Sequence, residues 1–430
     1  MEIHYGSERI SLAIPEGNFC FDLGPRRVEG IADEGEEIRK AIREPIGCAP
    51  LSRWVKAGFH VVIIADDNTR PTPANIIIPV LLEELNAAGV PDEEIELIIA
   101  SGTHRPMKPE EIEEKFGAEV LSRIPVLNHD CLDGDNLVDY GLTQRGTRIW
   151  INRRVIEAHV RIGVGNIVPH HPTGWGGGAK ILLPGVAGQE TTAQMHLLGS
   201  REPHLGTVVT PCRQEMEEFA AKVGLHFIIN TILNREGEVV KVIAGDMIEA
   251  HRAGVREAEK VWGAEFSRKA DLTISSTYPI DFDLFQADKG IFSAELATAP
   301  GGEIVLVSPC YESISPAHAE LVEFGNLRDE ELWARLEGGK ITDPLVAAEA
   351  LCFNHIKRGY KVTLVSEGVT KDMAARIGLN HVSPSSLPAY IGERLGENPQ
   401  MQIGIIRQSA EMLPIMARKG QLATGKGESS

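Results

Sequence analysis

The segment Pro169–Gly185, PHHPTGWGGGAKILLPG, concentrates more potential chemistry than any other stretch of this 430-residue chain. Its glycines, Gly174, Gly176, Gly177 and Gly178, let backbone approach a bulky ligand or adopt positive φ. Lys180 follows directly, so its amine lies beside whatever the glycines admit. A phosphate-binding P-loop is the obvious comparison, and it fails on two counts. That motif needs Gly immediately before the lysine and Ser or Thr immediately after, where this chain has Ala179 and Ile181. A glycine-rich turn carrying a solvated lysine is the plainer alternative. The adjacent histidines His170 and His171 tip the balance toward a site.

Histidine takes and returns protons near neutral pH and binds soft transition metals. Three of the 14 histidines stand out by context. His104 sits in a polar loop beside Arg105, and His170 ends an apolar strand just before the glycines. His196 lies on an expected helix, Gln189–Leu198 with Gly199 as its cap, where a helix-face core histidine is the competing reading. Asp67 and Arg70 share another loop. The planar guanidinium suits a carboxylate or phosphate, while an Asp–Arg pair that merely stabilises the loop is equally compatible. Gln286 and Lys289, at i and i+3 of an expected helix, could face one cleft or form a solvated face.

These loops need elements to carry them. His60–Ala65 (HVVIIA) and Ile95–Ala100 are apolar, β-branched runs of the kind buried in parallel sheets. Each ends in a polar loop, Asp66–Pro73 and Ser101–Pro106, followed by a helical pattern (Ile76–Leu85, Lys108–Phe116). Strand, loop, helix, twice over, is the βαβ signature, and functional loops of such sheets open at the carboxyl ends of strands. Val160–Val168 leads into the glycine segment. Phe227–Leu233 and Val239–Ala244 read as a hairpin, and Met247–Trp262 as a helix. The alternation restarts after Lys269 with strands at Leu272–Ser276, Ile304–Val307, Val362–Val365 and Ile403–Ile406, while the first fifteen residues suggest a hairpin. The expected fold is two α/β domains with largely parallel sheets and a cleft between them. Residues 1–267 form a cofactor-binding domain, 268–423 a domain closing over the substrate, and 424–430 a disordered tail.

The 43 Lys+Arg against 61 Asp+Glu give a formal charge of −18, a surface that repels nucleic-acid backbones. No apolar run approaches the roughly 20 residues of a membrane helix, and MEIHYGSERI lacks the pattern of a signal peptide. Six scattered cysteines without a CxxC pair suit a reducing cytosol. The expectation is a cytoplasmic enzyme with no nucleic-acid or membrane partner and an open oligomeric state.

Five motifs, in order, resemble those of the lactate racemase family, the nickel-pincer nucleotide-dependent 2-hydroxyacid racemases and epimerases. They are DNTRP (Asp67–Pro71), SGTHRPM (Ser101–Met107), HHPTGWGGGAKILLPG (His170–Gly185), QMHLLG (Gln194–Gly199) and FQADKG (Phe285–Gly290). His170 precedes Lys180 by ten residues, and His196 follows it by sixteen.

The resemblance implies an isomerase that inverts C2 of a small, lactate-like 2-hydroxyacid by reversible hydride transfer. Its implied cofactor is nickel pyridinium-3,5-bisthiocarboxylic acid mononucleotide, attached covalently through Lys180, with Asp67 and Gly176–Gly178 beside it and His196 on the nickel. His104 and His170 match the acid/base pair, and Arg70, Gln286 and Lys289 the substrate-holding residues. The implied partners are the hydroxyacid and the enzymes that make the cofactor. Competing readings are a sugar-acid 2-epimerase or a racemase of malate or another hydroxyacid with the same cofactor, a non-catalytic cofactor carrier, and, more remotely, a zinc- or magnesium-dependent hydrolase.

Overall fold

The β-branched runs become the central strands of two parallel sheets in the computed structural model, which describes residues 1–200 and 204–417. One unit spans Arg27–Val261. Its six strands lie in the order Val239–Gly245, Phe227–Leu233, Val160–Asn166, Val61–Asp66, Ile95–Ala100 and Val126–Asn128. All neighbours pair in parallel except the antiparallel Val239–Gly245 edge, which closes the expected hairpin. Val61–Asp66 is buried along its whole length, as befits a strand covered on both faces. The Ala74–Ala87 helix packs Ile77, Ile78, Leu81, Leu82 and Leu85 into the same core.

Chain order and strand order diverge at one place in this sheet. From Val61–Asp66 the chain steps to Ile95–Ala100 and then Val126–Asn128. It returns on the opposite side of Val61–Asp66 as Val160–Asn166 and continues outward to Phe227–Leu233. The order therefore reverses between Val61–Asp66 and Val160–Asn166. A crevice opens at the carboxyl ends of strands that flank such a switch point, and Asp67 and the Ile167–Lys180 segment follow those two strands directly.

The other unit joins Met1–Arg26 to the chain from Trp262 onward. Its all-parallel sheet runs Asn380–Val382, Lys361–Val365, Thr298–Val307, Ala270–Ser276, Ile403–Ile406 and Phe19–Leu23. The order reverses between Ala270–Ser276 and Ile403–Ile406. The expected division at 1–267 and 268–423 differs from this at both ends. Phe19–Leu23 pairs with Ile403–Ile406, and the Asn18 side-chain amide donates to the carbonyls of Pro399 (2.9 Å) and Met401 (2.8 Å). The Gly263–Phe266 strand pairs with Leu413–Met416. Pairing across almost the whole chain leaves no trace in local periodicity. The 424–430 tail lies outside the described residues. Among the described residues, no helix is long and apolar enough to cross a membrane.

Candidate active site

Asp67 sits just past its strand, 3% exposed. One carboxylate oxygen, Oδ1, accepts from the Thr69 amide (3.1 Å) and hydroxyl (2.5 Å). The other, Oδ2, accepts from His104 Nδ1 at 2.7 Å. Burial alone would raise the Asp67 pKa, but the charges of His104 and Arg70 and the bonds from His104 and Thr69 outweigh it and hold the carboxyl below its usual range. An ionised carboxylate only accepts, so Nδ1 of His104 carries a proton and Nε2 is the basic nitrogen of the neutral ring.

The half-buried Arg70 donates to the Thr69 carbonyl and hydroxyl, both at 3.1 Å. Lys115, from the Pro109–Arg123 helix, holds this loop by donating to the carbonyls of Arg70 (2.7 Å) and Thr72 (3.0 Å). It also pairs with Asp66 Oδ1 at 3.1 Å.

The segment after Val160–Asn166 doubles back as a two-residue hairpin, Pro169–His170 against Gly174–Trp175. His170 is buried, with Nδ1 3.1 Å from the Thr173 hydroxyl. Gly177 and Gly178 adopt φ of 73° and 62°, a region that L side chains resist. A Cβ on Gly177 would lie 2.7 Å from the Ile167 side chain, and one on Gly178 would lie 2.9 Å from the His251 ring. These two glycines therefore answer to the protein's own packing.

Three side chains absent from the sequence reading hold the loop. Arg213, fully buried, donates to the carbonyls of Gly177 (2.9 Å) and Trp175. His251 Nε2 donates to the Gly176 carbonyl at 2.8 Å, and Asn230 Oδ1 accepts from the Gly178 amide at 2.9 Å. Burial pushes Arg213 down to about 10 and His251 well below its ordinary range. His251 is thus neutral, its Nδ1 accepting from Arg252 at 2.9 Å.

Lys180 lies on the short turn Gly178–Ile181 that follows. The stretch just after the turn is tied to the His104 loop, because the Gly102 amide donates to the Gly185 carbonyl at 2.9 Å. His196 lies on the Gln189–Gly199 helix, where its Nδ1 donates to the Thr192 carbonyl at 2.9 Å. That bond puts the proton of the neutral ring on Nδ1 and the lone pair on Nε2. Among the described residues, no cluster of three His, Cys, Asp or Glu side chains stands ready for a metal.

In the other unit, Gln286 and Lys289 follow Ala270–Ser276, one of the two strands at that sheet's own switch point. Lys289 Nζ donates to Gln286 Oε1 at 2.5 Å, and the Gln286 amide caps onto Asp283 at 2.8 Å. The i, i+3 spacing does bring the pair together. Two further features there were not legible in the sequence. Phe285 stacks on His318 with ring centroids 4.3 Å apart, and His318 Nδ1 is 2.5 Å from Asp343. Asp288, buried beside Glu349, is raised well above the usual carboxylate range by burial and by that neighbour.

Comparison with known proteins agrees with this architecture. Residues 5–207 match the lactate racemase N-terminal domain. Lactate racemase of Lactiplantibacillus plantarum is 30% identical over 319 residues, covering 72% of this chain and 74% of that protein. The lactate racemase of Thermoanaerobacterium thermosaccharolyticum is 28% identical over 327 residues, with the same coverage of each chain. Two solved structures share the fold. The lactate racemase apoprotein from T. thermosaccharolyticum superposes with a TM-score of 0.84 at 24% identity, covering 96% of this chain and 99% of that one. A Thermotoga maritima protein gives 0.71 at 21% identity, covering 91% and 100%. The fold and these relatives define an α/β enzyme of the isomerase class. More particularly, the chain belongs to the lactate racemase family.

Proposed function

We propose that this protein racemises a small 2-hydroxyacid, lactate or a close analogue, with a nickel-pincer nucleotide tethered to Lys180. One observation carries the reading. His104 and His170 lie in loops at the carboxyl edge of one sheet, and each has Nδ1 engaged by a polar partner, Asp67 or Thr173. A reaction that runs equally well from either enantiomer needs a base for each, and two histidines at one strand-end crevice are what it requires. Both relatives described above are lactate racemases, which favours lactate as the first substrate to test.

The residues present fit the implied cofactor. Lys180 offers an amine beside the glycine turn, and His196 offers one soft nitrogen suited to nickel. At the carboxyl ends of neighbouring strands, Asn166 Nδ2 and Thr231 Oγ1 are buried in matching register without a hydrogen-bond partner among the described residues. Orphaned groups of this kind suit a polar ligand. When bound, such a cofactor supplies a reversible hydride acceptor, so C2 need not lose its weakly acidic proton as a carbanion. In this reading Nε2 of His104 or His170 takes the proton of the substrate hydroxyl and returns it. Arg70 offers the carboxylate a planar fork of donors, and Lys289, matched to a substrate-holding residue of the family, is oriented by Gln286 within its own unit. Asp67 keeps His104 in the required tautomer.

The test is co-expression with the cofactor's biosynthetic enzymes, followed by intact mass, nickel content and peptide mapping across Lys180. Enantiopure hydroxyacids are then assayed for loss of optical purity. The expected result is an adduct on Lys180, nickel, and racemisation of a short-chain hydroxyacid. Unmodified Lys180 in a host that loads a known lactate racemase would overturn the proposal.

A further inference from the structure

We propose that Thr173 is a positioning residue that fixes the tautomer of His170, its hydroxyl oxygen accepting from the imidazole Nδ1–H. Thr173 is fully buried at the turn of the Pro169–Trp175 hairpin. Its Oγ1 lies 2.8 Å from the Trp175 carbonyl and 3.1 Å from His170 Nδ1. A hydroxyl has one proton to donate and lone pairs to accept with. The carbonyl can only accept, so the proton of Thr173 goes to Trp175. The remaining contact then runs the other way, from His170 Nδ1–H to Oγ1. In the neutral ring this puts the lone pair on Nε2.

The surroundings allow this arrangement little room to invert. Trp175 is itself anchored, its indole Nε1 donating to the Gly206 carbonyl at 3.0 Å. Gly174, paired opposite His170, has φ of 75°, and a Cβ there would fall 1.8 Å from the Thr207 carbonyl oxygen. The acceptor for the Thr173 proton and the backbone that aims His170 are therefore both fixed. The outcome matches that at His104 and His196, where a carboxylate and a backbone carbonyl enforce the same protonated Nδ1. At His170 a hydroxyl does so, through the direction of its own second bond.

The catalytic consequence rests on the reading of His170 as an acid/base; the tautomer itself does not. The experiment is two-bond ¹H–¹⁵N correlation spectroscopy on ¹⁵N-histidine-labelled full-length protein, above the pH at which the ring titrates. His170 is assigned by loss of its signals in His170→Gln. The expected result is the Nδ1–H tautomer in wild type and in Thr173→Ser. In Thr173→Val the ratio of Nδ1–H to Nε2–H falls roughly five- to tenfold, the weight of one ordinary hydrogen bond.

In cofactor-loaded protein, Thr173→Val lowers kcat, by at most that factor because kcat follows the fraction of the Nδ1–H tautomer, with KM little changed, and Thr173→Ser restores it. An Nε2–H tautomer in wild type, or an unaltered Nδ1–H tautomer in Thr173→Val, overturns the proposal. If the valine variant does not fold, Thr173→Ala serves in its place, and the wild-type spectrum alone still decides the tautomer. Loaded protein that turns over no hydroxyacid while His170 shows Nδ1–H would retire the proposed function and leave this assignment standing.

Discussion

Replacing Asp67 by Asn separates its charge from its shape. The carboxylate accepts three hydrogen bonds from two neighbours, at 2.5 and 3.1 Å from Thr69 and 2.7 Å from His104. Asn has one oxygen to offer where Asp has two. If that oxygen stays on Thr69, the amide NH₂ faces His104 Nδ1 and can only donate. The ring must then accept at Nδ1 and move its proton to Nε2, the nitrogen proposed to act as base. Losing a hydrogen bond to a charged group costs about 2 kcal/mol, so the variant should unfold at lower urea concentration at pH 7.

This cost depends on pH with a definite sign. Because the folded carboxyl is held below its usual range, the unfolded chain binds the extra proton as the medium acidifies. The contribution is fully present above the unfolded pKa of about 4 and is lost as pH falls through the lower folded value. Urea denaturation of both proteins from pH 7 to pH 3 should therefore show a gap that narrows below about pH 4. In the loaded enzyme, turnover should fall by roughly 100-fold or more, the usual weight of a general base. A stability gap that is constant with pH, or an Asn variant with wild-type turnover, would refute the coupling between Asp67 and His104.

His251 refuses a proton that the unfolded chain accepts, so wild-type stability should fall as pH drops below about 6.5. The His251→Gln variant should show a shallower slope there in thermal unfolding. Gly178→Ala should lose at least about 2 kcal/mol in urea denaturation, since it meets both a left-handed backbone and the His251 ring. Arg213→Met should cost about 2–3 kcal/mol by stripping the donors from two buried carbonyls. Peptide mapping of that variant should also show reduced adduct at Lys180, and full loading would mean that the turn holds its shape without Arg213.

Both sheets were legible because parallel strands buried on two faces are largely apolar and rich in β-branched residues, as Val61–Asp66 is in one sheet and Ile403–Ile406 in the other. The strand-end loops followed from the same logic, since a polar stretch after such a run opens at the sheet's carboxyl edge. The membership of Phe19–Leu23 was not legible. A short edge strand carries little periodicity, and its partner Ile403–Ile406 lies at the far end of the chain. His196 was ambiguous in sequence because a helix-face histidine looks the same whether it packs or ligates. Its bond to the Thr192 carbonyl sets only which ring nitrogen carries the proton.

The glycines show most clearly where local reading stops. Sequence reasoning left two uses open for Gly176, Gly177 and Gly178, backbone approach to a ligand or a positive φ, and only the family resemblance set them beside a cofactor. At Gly177 and Gly178 the space is taken by Ile167, Asn230 and His251, and the carbonyls of Gly176 and Gly177 are held by His251 and Arg213. The glycines are required so that buried polar groups, 36 and 75 positions downstream of the carbonyls they bind, can reach the backbone. Lys180 follows on this clamped turn, so its placement is fixed by residues that carry no motif of their own. An unclamped glycine run would leave the amine sampling many positions, and proximity contributes to a covalent attachment only when the geometry is held beforehand. Under the proposed tethering, Arg213 and His251 are thus as much a condition of attachment at Lys180 as the glycines are, although neither stands in any of the five motifs.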